Sequence, residues 1–461
     1  MNRIVKVSVA AAALAALSAC STVGERVGGL WPFGRDEGPT AVASQGERIP
    51  ILALDNSLTP SDTLAGLDFY LPEPQGVTAW PLPGGTPQQS VEHVAAAANF
   101  TIAWKRDVGD GGGRREAVTA PPVAANGRIY TMDGQARVVA TDAQTGARVW
   151  QVDLADDKGR DKEAFGGGLA VAEGKIIVTS GYRFVASLNA DTGAVEWKVK
   201  TESPIHAAPT VSGTRAYAVD VDNEIFAFDL ADGNQAWSFQ AIVEPARILR
   251  ASSPAVEGDA VIAPFSSGEL VAMRAANGNP LWTEVLSRTS RTSALSEIRD
   301  IPGRPAVYQG TVYAASHSGV FAAMDLRTGQ RRWELPVASI NTPWPAGDAV
   351  FLVSQAGQAI AVNRESGQIY WIKDLNKGRT YSEGGVLGLY DREANPIWTG
   401  PILASNRLII VNDRGIAIAL NPKNGEEMGV VNIGAPAYVQ PIAYGDMVYF
   451  VNEKAELVAI R

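Results

Sequence analysis

One frame of residues recurs along most of the chain and limits what it can fold into. Its clearest copy runs Thr311-Val312-Tyr313, then Gly319-Val320-Phe321-Ala322-Ala323-Met324-Asp325-Leu326-Arg327-Thr328-Gly329, then Trp333. The turn glycine returns at Gly146, Gly193, Gly233, Gly278, Gly329, Gly367 and Gly425, about 46 residues apart on average, close to the length of a four-stranded propeller blade. Four residues after the first six stand Trp150, Trp197, Trp237, Trp282, Trp333 and Trp371. A small residue, Ala or Ser, lies six before each glycine, and usually Asp or Asn lies four before it. The Asp or Asn opens a turn by bonding its side chain to nearby backbone. The glycine takes a positive φ and closes a hairpin with a bulge. The Trp alternates with polar residues and wedges between neighbouring blades. The seventh copy departs from the frame, with Met428-Gly429 where Trp is expected, so its wedge must be filled by something else.

The two ends of the repeat region fix the count. Pro441, Gly445, Tyr449 and Ala459 begin an eighth copy that lacks its turn and its Trp strand. An unused Trp strand stands upstream at Phe100–Arg106, centred on Trp104. Joining Phe100–Arg106 to Glu456–Arg461 completes the eighth blade and removes an open sheet edge. The expected fold is all-β: a single eight-bladed β-propeller of four-stranded antiparallel blades over residues 79–461, closed by an N-terminal strand on the C-terminal blade. Three stretches exceed hairpin length, Asp153–Gly168, Leu286–Arg304 and Asp374–Pro396, and long insertions on one rim often carry recognition.

The N-terminus reads as an address. Arg3 and Lys6 precede an apolar stretch, Val7–Leu17, too short to span a bilayer as a helix. It ends in Leu17-Ser18-Ala19-Cys20, which resembles the lipobox of bacterial lipoproteins. That resemblance implies a signal peptide over residues 1–19, cleavage, and acylation of Cys20, palmitate among its chains. Ser21 rather than Asp after the Cys implies an outer-membrane address. Acyl chains contribute about 0.8 kcal/mol per buried CH₂, enough for durable anchoring when several are present. Residues 20–78 carry Pro32, Pro39, Pro50, Pro60, Pro72 and Pro74 and read as a flexible tether.

Chemistry finds little support. Formal net charge is −9, which argues against nucleic acid as a partner. One Cys and three widely separated His leave no zinc-type ligand set, so no metal and no cofactor is expected. Asp220-Val221-Asp222-Asn223-Glu224 is rich in oxygen, but it falls where other copies place a hairpin tip, and that reading is preferred to a Ca²⁺ loop. Gly111-Gly112-Gly113 and Gly166-Gly167-Gly168 lack the Lys-Ser/Thr and helix of a phosphate loop. His206 and His317 read as structural, and no nucleophile sits in a recognisable motif. No catalytic residue is assigned.

The repeat ending Asp-x-x-Thr-Gly-x-x-x-Trp resembles the bacterial quinoprotein-like β-propellers. With the lipobox and a bare propeller it is similar, within them, to the BamB-type lipoproteins. The resemblance implies a non-enzymatic scaffold on the periplasmic face of the cell outer membrane, in the Bam complex that folds and inserts β-barrel proteins. It implies as partners the periplasmic domains of BamA, other Bam subunits and the outer-membrane lipid, with nascent outer membrane proteins as a further candidate. In that family the contacting face includes a Leu-Arg loop and an Asp loop. Here the matching residues are Leu249, Arg250 and Asp300, with Pro302 in place of a second Asp. The alternative is a periplasmic quinoprotein-type enzyme or small-molecule sensor using the central funnel. Against it, the adjacent Cys pair of the dehydrogenases is absent, since Cys20 is the only Cys.

Overall fold

The computed structural model describes residues 58–112, 118–155, 165–244, 252–287, 298–384 and 391–461. The chain divides into Met1–Ser57, outside the described residues, and Leu58–Arg461. The second unit holds eight four-stranded sheets, every neighbouring pair antiparallel, and no α-helix among the described residues. The first blade is typical: Val123–Ala125, Arg128–Met132, Arg137–Asp142 and Arg148–Asp153, in spatial order. Its three inner strands are buried and its fourth alternates exposed and half-buried. The eighth blade is Ile442–Tyr444, Met447–Val451 and Glu456–Ile460, completed by Ile102–Asp107. Trp104 pairs with Ala459 and Arg106 with Leu457, and Thr101 and Arg461 exchange backbone bonds of 3.0 and 2.8 Å. The expected closure is the one found.

The repeat marks turn out to be partners in space. The small residue and the Trp face each other across the outer two strands, as in Ala140 with Trp150, Ala272 with Trp282 and Ala361 with Trp371. A register shift beside each pair marks the bulge. The turn glycine of one blade lies on the Trp of the blade before it. A Cβ added at Gly193 would fall 2.8 Å from the Trp150 ring, and one at Gly278 would fall 2.6 Å from that of Trp237. The indole N–H then donates to the backbone carbonyl just after the turn Asp or Asn: Trp150 to Ala190 at 3.0 Å, Trp333 to Arg364 at 2.8 Å. In the turn, Asp142 Oδ1 accepts from the N–H and hydroxyl of Thr145 at 2.8 and 2.7 Å, which holds its carboxyl below the usual range.

At the seventh blade the pattern inverts. Gly429 sits opposite Ala419, in the Trp position, and a Cβ there would meet the Phe100 ring at 3.2 Å. Phe100 comes from the chain just before the closing strand, where the eighth blade has no turn, and only 7% of it is exposed. The large residue has moved from the blade to the turn side of the contact.

The sequence reading runs the tether to residue 78, but the described chain is already laid on the propeller from Leu58 onward. Phe69 packs on Tyr370 and Phe351, with ring centroids 4.3 and 6.4 Å away, and the Lys423 amine lies 4.8 Å over its ring. Ser61 N–H bonds the Ile369 carbonyl on an outer strand. Prolines keep this stretch out of a regular ladder without preventing its apolar side chains from docking.

Residues 80–97 form an axial segment beside the inner strands, passing from blade to blade, and each blade holds it by one to three bonds. Trp80 exchanges backbone bonds with Ala124 in blade one, and Val171 N–H of blade two donates to Pro81. Gln89 Nε2 bonds Thr210 Oγ1 in blade three, Val256 N–H of blade four donates to Pro87, and Val307 N–H of blade five to Gln88. Trp344 Nε1 of blade six donates to Glu92, Val94 N–H bonds Leu403 of blade seven, and Ala97 N–H bonds Asp446 in blade eight. Trp80, Leu82, Gln89, His93 and Val94 are all buried along it.

Candidate functional site

The starts of the inner strands of seven blades surround one axial cavity of about 70 Å³. Its polar lining includes Thr119, His206, Ser252, Arg304, Asn341, Thr399 and Gln440. Two amide side chains set the frame. Gln440 Nε2 donates to the Pro401 carbonyl at 2.7 Å, which turns its Oε1 to accept from the Arg304 guanidinium. Asn341 Nδ2 bonds Val353 and Trp398 carbonyls at 3.1 and 3.0 Å, and its Oδ1 accepts from Gly400 N–H. Three lining hydroxyls, of Thr119, Ser252 and Thr399, are buried without a hydrogen-bond partner among the described residues. His206 stacks on Phe165, with centroids 4.4 Å apart.

The quinoprotein-like fold raises the question of a quinone with Ca²⁺ on this axis, and the residues do not fit one. The cavity is far smaller than the roughly 300 Å³ at the low end of small-molecule sites. No described Asp or Glu lines it, so among the described residues a hard cation would find no carboxylate there. The Asp220–Glu224 stretch is a hairpin tip. Asp220 Oδ1 accepts from the N–H groups of Asp222 and Glu224 at 2.9 Å, and burial pushes its carboxyl up to about 6. Asn223 bonds Ile242 and Ser266. No metal-holding group of His, Cys, Asp or Glu occurs among the described residues.

Leu249, Arg250 and Cys20 lie outside the described residues. Asp300 is only 4% exposed, and its carbonyl accepts from His317 N–H at 2.9 Å. Among the described residues, Ser252 and Ser253, and Pro302 and Arg304 after Asp300, line the axial cavity. The seven Trp of the frame serve the blade contacts, six as donors to the next blade and Trp104 by packing. Sequence reasoning missed the axial segment. Its bonds to the eight blades fall at irregular positions, so no periodic pattern marks it.

Comparison with known proteins agrees with this architecture. The profile of the family described as outer membrane protein assembly factor BamB matches residues 89–160 and 135–373. The protein of that name from Yersinia pestis is 28% identical over 385 residues, covering 77% of this chain and 95% of its own. The crystal structure of BamB from Moraxella catarrhalis superposes with a TM-score of 0.62 at 20% identity, covering 77% of this chain and 99% of that one. A quinohemoprotein alcohol dehydrogenase from Pseudomonas putida HK5 reaches 0.61 at 14% identity, covering 83% and 80%, a likeness of fold alone. With the profile matched over more than half its length, the chain belongs to the family of the outer membrane protein assembly factor BamB.

Proposed function

We propose that this chain is a non-enzymatic scaffold of outer membrane β-barrel assembly, held by lipid on Cys20 and binding the periplasmic domains of BamA. Membership of the BamB family is the observation that carries this reading. The axial cavity supports it further, because at about 70 Å³ it offers little room for a substrate-sized ligand. A propeller offers partners a rigid face at low ordering cost.

Residues 1–19 act as the leader in this reading, and the chain from Cys20 to Ser57 links lipid to ring. Leu249 and Arg250 supply the partner contact: an apolar anchor beside a forked, charge-assisted donor. Asp300, being buried, acts by positioning its loop. The test is a pull-down from detergent-solubilised envelopes, where the large barrel-forming subunit should co-purify with the wild type. The double change Leu249→Ala and Arg250→Glu should weaken that recovery while the thermal melt stays intact. Equal recovery from a folded double variant would move the partner surface elsewhere. Mass spectrometry showing an unmodified Cys20 would remove the anchor.

A further inference from the structure

We propose that Ile242 and Val243 form an apolar contact for a protein partner, with Asn223 as the positioning residue. The inference rests on the partner reading of Leu249 and Arg250 and extends that surface upstream, to the end of the third blade's outer strand, Gln235–Gln240. In seven blades the first residue past the outer strand donates its N–H to the carbonyl of the residue just before the third strand, as Ala241 does to Asn223 and Leu286 to Gly268. The residue that follows is small or polar in six of them: Gly109, Ala155, Glu202, Ser287, Asn376 and Gly434. In the third blade it is Ile242, with Val243 behind it. These two are 60% and 56% exposed, and no other described large apolar residue after Val77 exceeds 50%. Scattered apolar side chains on a surface are ordinary, but an adjacent branched pair where the frame puts small or polar residues is not.

The backbone beneath the pair is fixed from both sides. Asn223 Nδ2 donates to the Ile242 carbonyl at 2.6 Å, and Ile242 N–H donates to Glu269 Oε2 at 3.1 Å. Glu269 belongs to the fourth blade, and its Oε2 also accepts from the Ser267 hydroxyl at 2.8 Å. Asn223 Oδ1 accepts from the N–H and hydroxyl of Ser266, again in the fourth blade, at 3.1 and 2.8 Å. Asn223 alone among the seven turn residues carries an amide, and at 3% exposed its bonds face little competition from water. A contact held in place before binding loses less freedom when it binds, so a given apolar area yields more affinity. The occupant is the protein bound through Leu249 and Arg250, because the two contacts lie close along the chain. Seven residues reach at most roughly 25 Å. A standard interface of about 800 Å² per partner is roughly 30 Å across, so both contacts fit within one.

The test titrates purified full-length BamA against the full mature chain, both in detergent, with a thermal melt of every variant. The double change Ile242→Ser and Val243→Ser should weaken binding about tenfold or more, the scale of a lost apolar anchor, and leave the melt unchanged because both side chains are exposed. Asn223→Gly keeps the positive φ of 63° and matches Gly268, Gly357 and Gly415 at the same turn position. It should weaken binding about threefold or more with a cooperative melt retained. Phe100→Ala, which loosens the ring at the seventh blade, is the control for stability alone and should bind as the wild type does. If Leu249→Ala with Arg250→Glu weakens binding while Ile242→Ser with Val243→Ser does not, the inference is overturned and the scaffold reading stands. Asn223→Gly binding like the wild type, or Phe100→Ala weakening as much as Asn223→Gly, would overturn the positioning role. No binding by the wild type would overturn the scaffold reading, and this inference with it.

Discussion

Gly146 lies on the indole of Trp104, and a Cβ built on the glycine would fall 2.9 Å from the ring. This contact joins the first blade to the eighth, and so the two ends of the propeller sequence. It has the geometry of the other glycine–Trp contacts with one difference. Trp104 Nε1 has no acceptor among the described residues, and the Ala143 carbonyl where its counterparts would bond is taken by Tyr449 OH at 2.8 Å.

Turn glycines should therefore be separable into two kinds by mutation. Gly278 combines φ of +74° with a ring 2.6 Å from its added Cβ, whereas Gly213 has φ of +58° and open space around it. Gly213→Ala should cost about 1 kcal/mol, the backbone term alone. Gly278→Ala should cost about 2–4 kcal/mol, because the Trp237 ring must also move. Urea melts of the two variants check this, and equal losses would mean the ring contact contributes nothing.

Phe100 and Gly429 predict a coupled pair. Phe100→Ala should destabilise by about 3 kcal/mol as a cavity opens beside Gly429. Gly429→Trp alone should clash with Phe100. Combined with Phe100→Gly, which also suits the positive φ of 48° at that position, it should recover stability beyond the sum of the singles. A double-mutant cycle with no coupling would refute the size exchange.

Asp220 makes a pH-dependent prediction with a native precedent. Its folded pKa, about 6, lies above the unfolded value, so the folded state binds more protons between about pH 4 and 6. Its contribution to stability is thus lost as pH rises through that window. Asn412 and Asn452 do the same turn-capping work in other blades, each accepting two backbone N–H groups on Oδ1. Asp220→Asn should stabilise the protein by about 1–3 kcal/mol at pH 7.5, with the gain fading toward pH 4. Melts across that range decide it.

His93 runs the opposite way. Its Nδ1–H donates to the Pro72 carbonyl at 2.7 Å and its Nε2 accepts from Asn406 N–H at 2.9 Å, so the ring is needed neutral. Burial holds its pKa below the ordinary 6.5. Its contribution is complete above pH 6.5 and is lost as pH falls through the folded value. His317 is shifted in the same direction, so the comparison must be made against His93→Gln. The variant should show a flatter decline in urea midpoint between pH 7.5 and 5; parallel curves would exclude His93.

Truncation tests where the domain begins. Removing residues 21–57 should leave the melting temperature nearly unchanged. Removal through Val77 should lower it by several degrees, because Phe69 leaves its place on Tyr370. Removal through Lys105 should abolish cooperative melting, since the closing strand and axial segment go together. If the first two truncations melt alike, the contacts of residues 58–77 add nothing.

The ring was legible because its marks are local. Asp325, Thr328 and Gly329 define a turn within five residues, and Trp333 follows at fixed spacing, so repetition made each copy evidence for the next. Closure was legible because Trp104 and Ala459 are halves of one such copy. What the sequence hid was aperiodic. Phe100 replaces a missing Trp from outside the repeat, and Gln88 and Gln89 find partners in different blades with no spacing to announce them. The axial cavity was hidden for a related reason: Thr119, Ser252, Arg304 and Thr399 come from four separate blades and line one space only when the ring is shut.

The segment tied to all eight blades has a mechanical consequence. Eight stiff sheets joined only at their flanks could slide past one another like staves of a loose cask, tilting one end of the ring against the other. A hub tied to every stave resists that shear, because any slip strains several hydrogen bonds together. The distance and angle between a partner on one blade and a partner on the opposite side are then set by the protein itself. Such a body works as a gauge block between the molecules it touches.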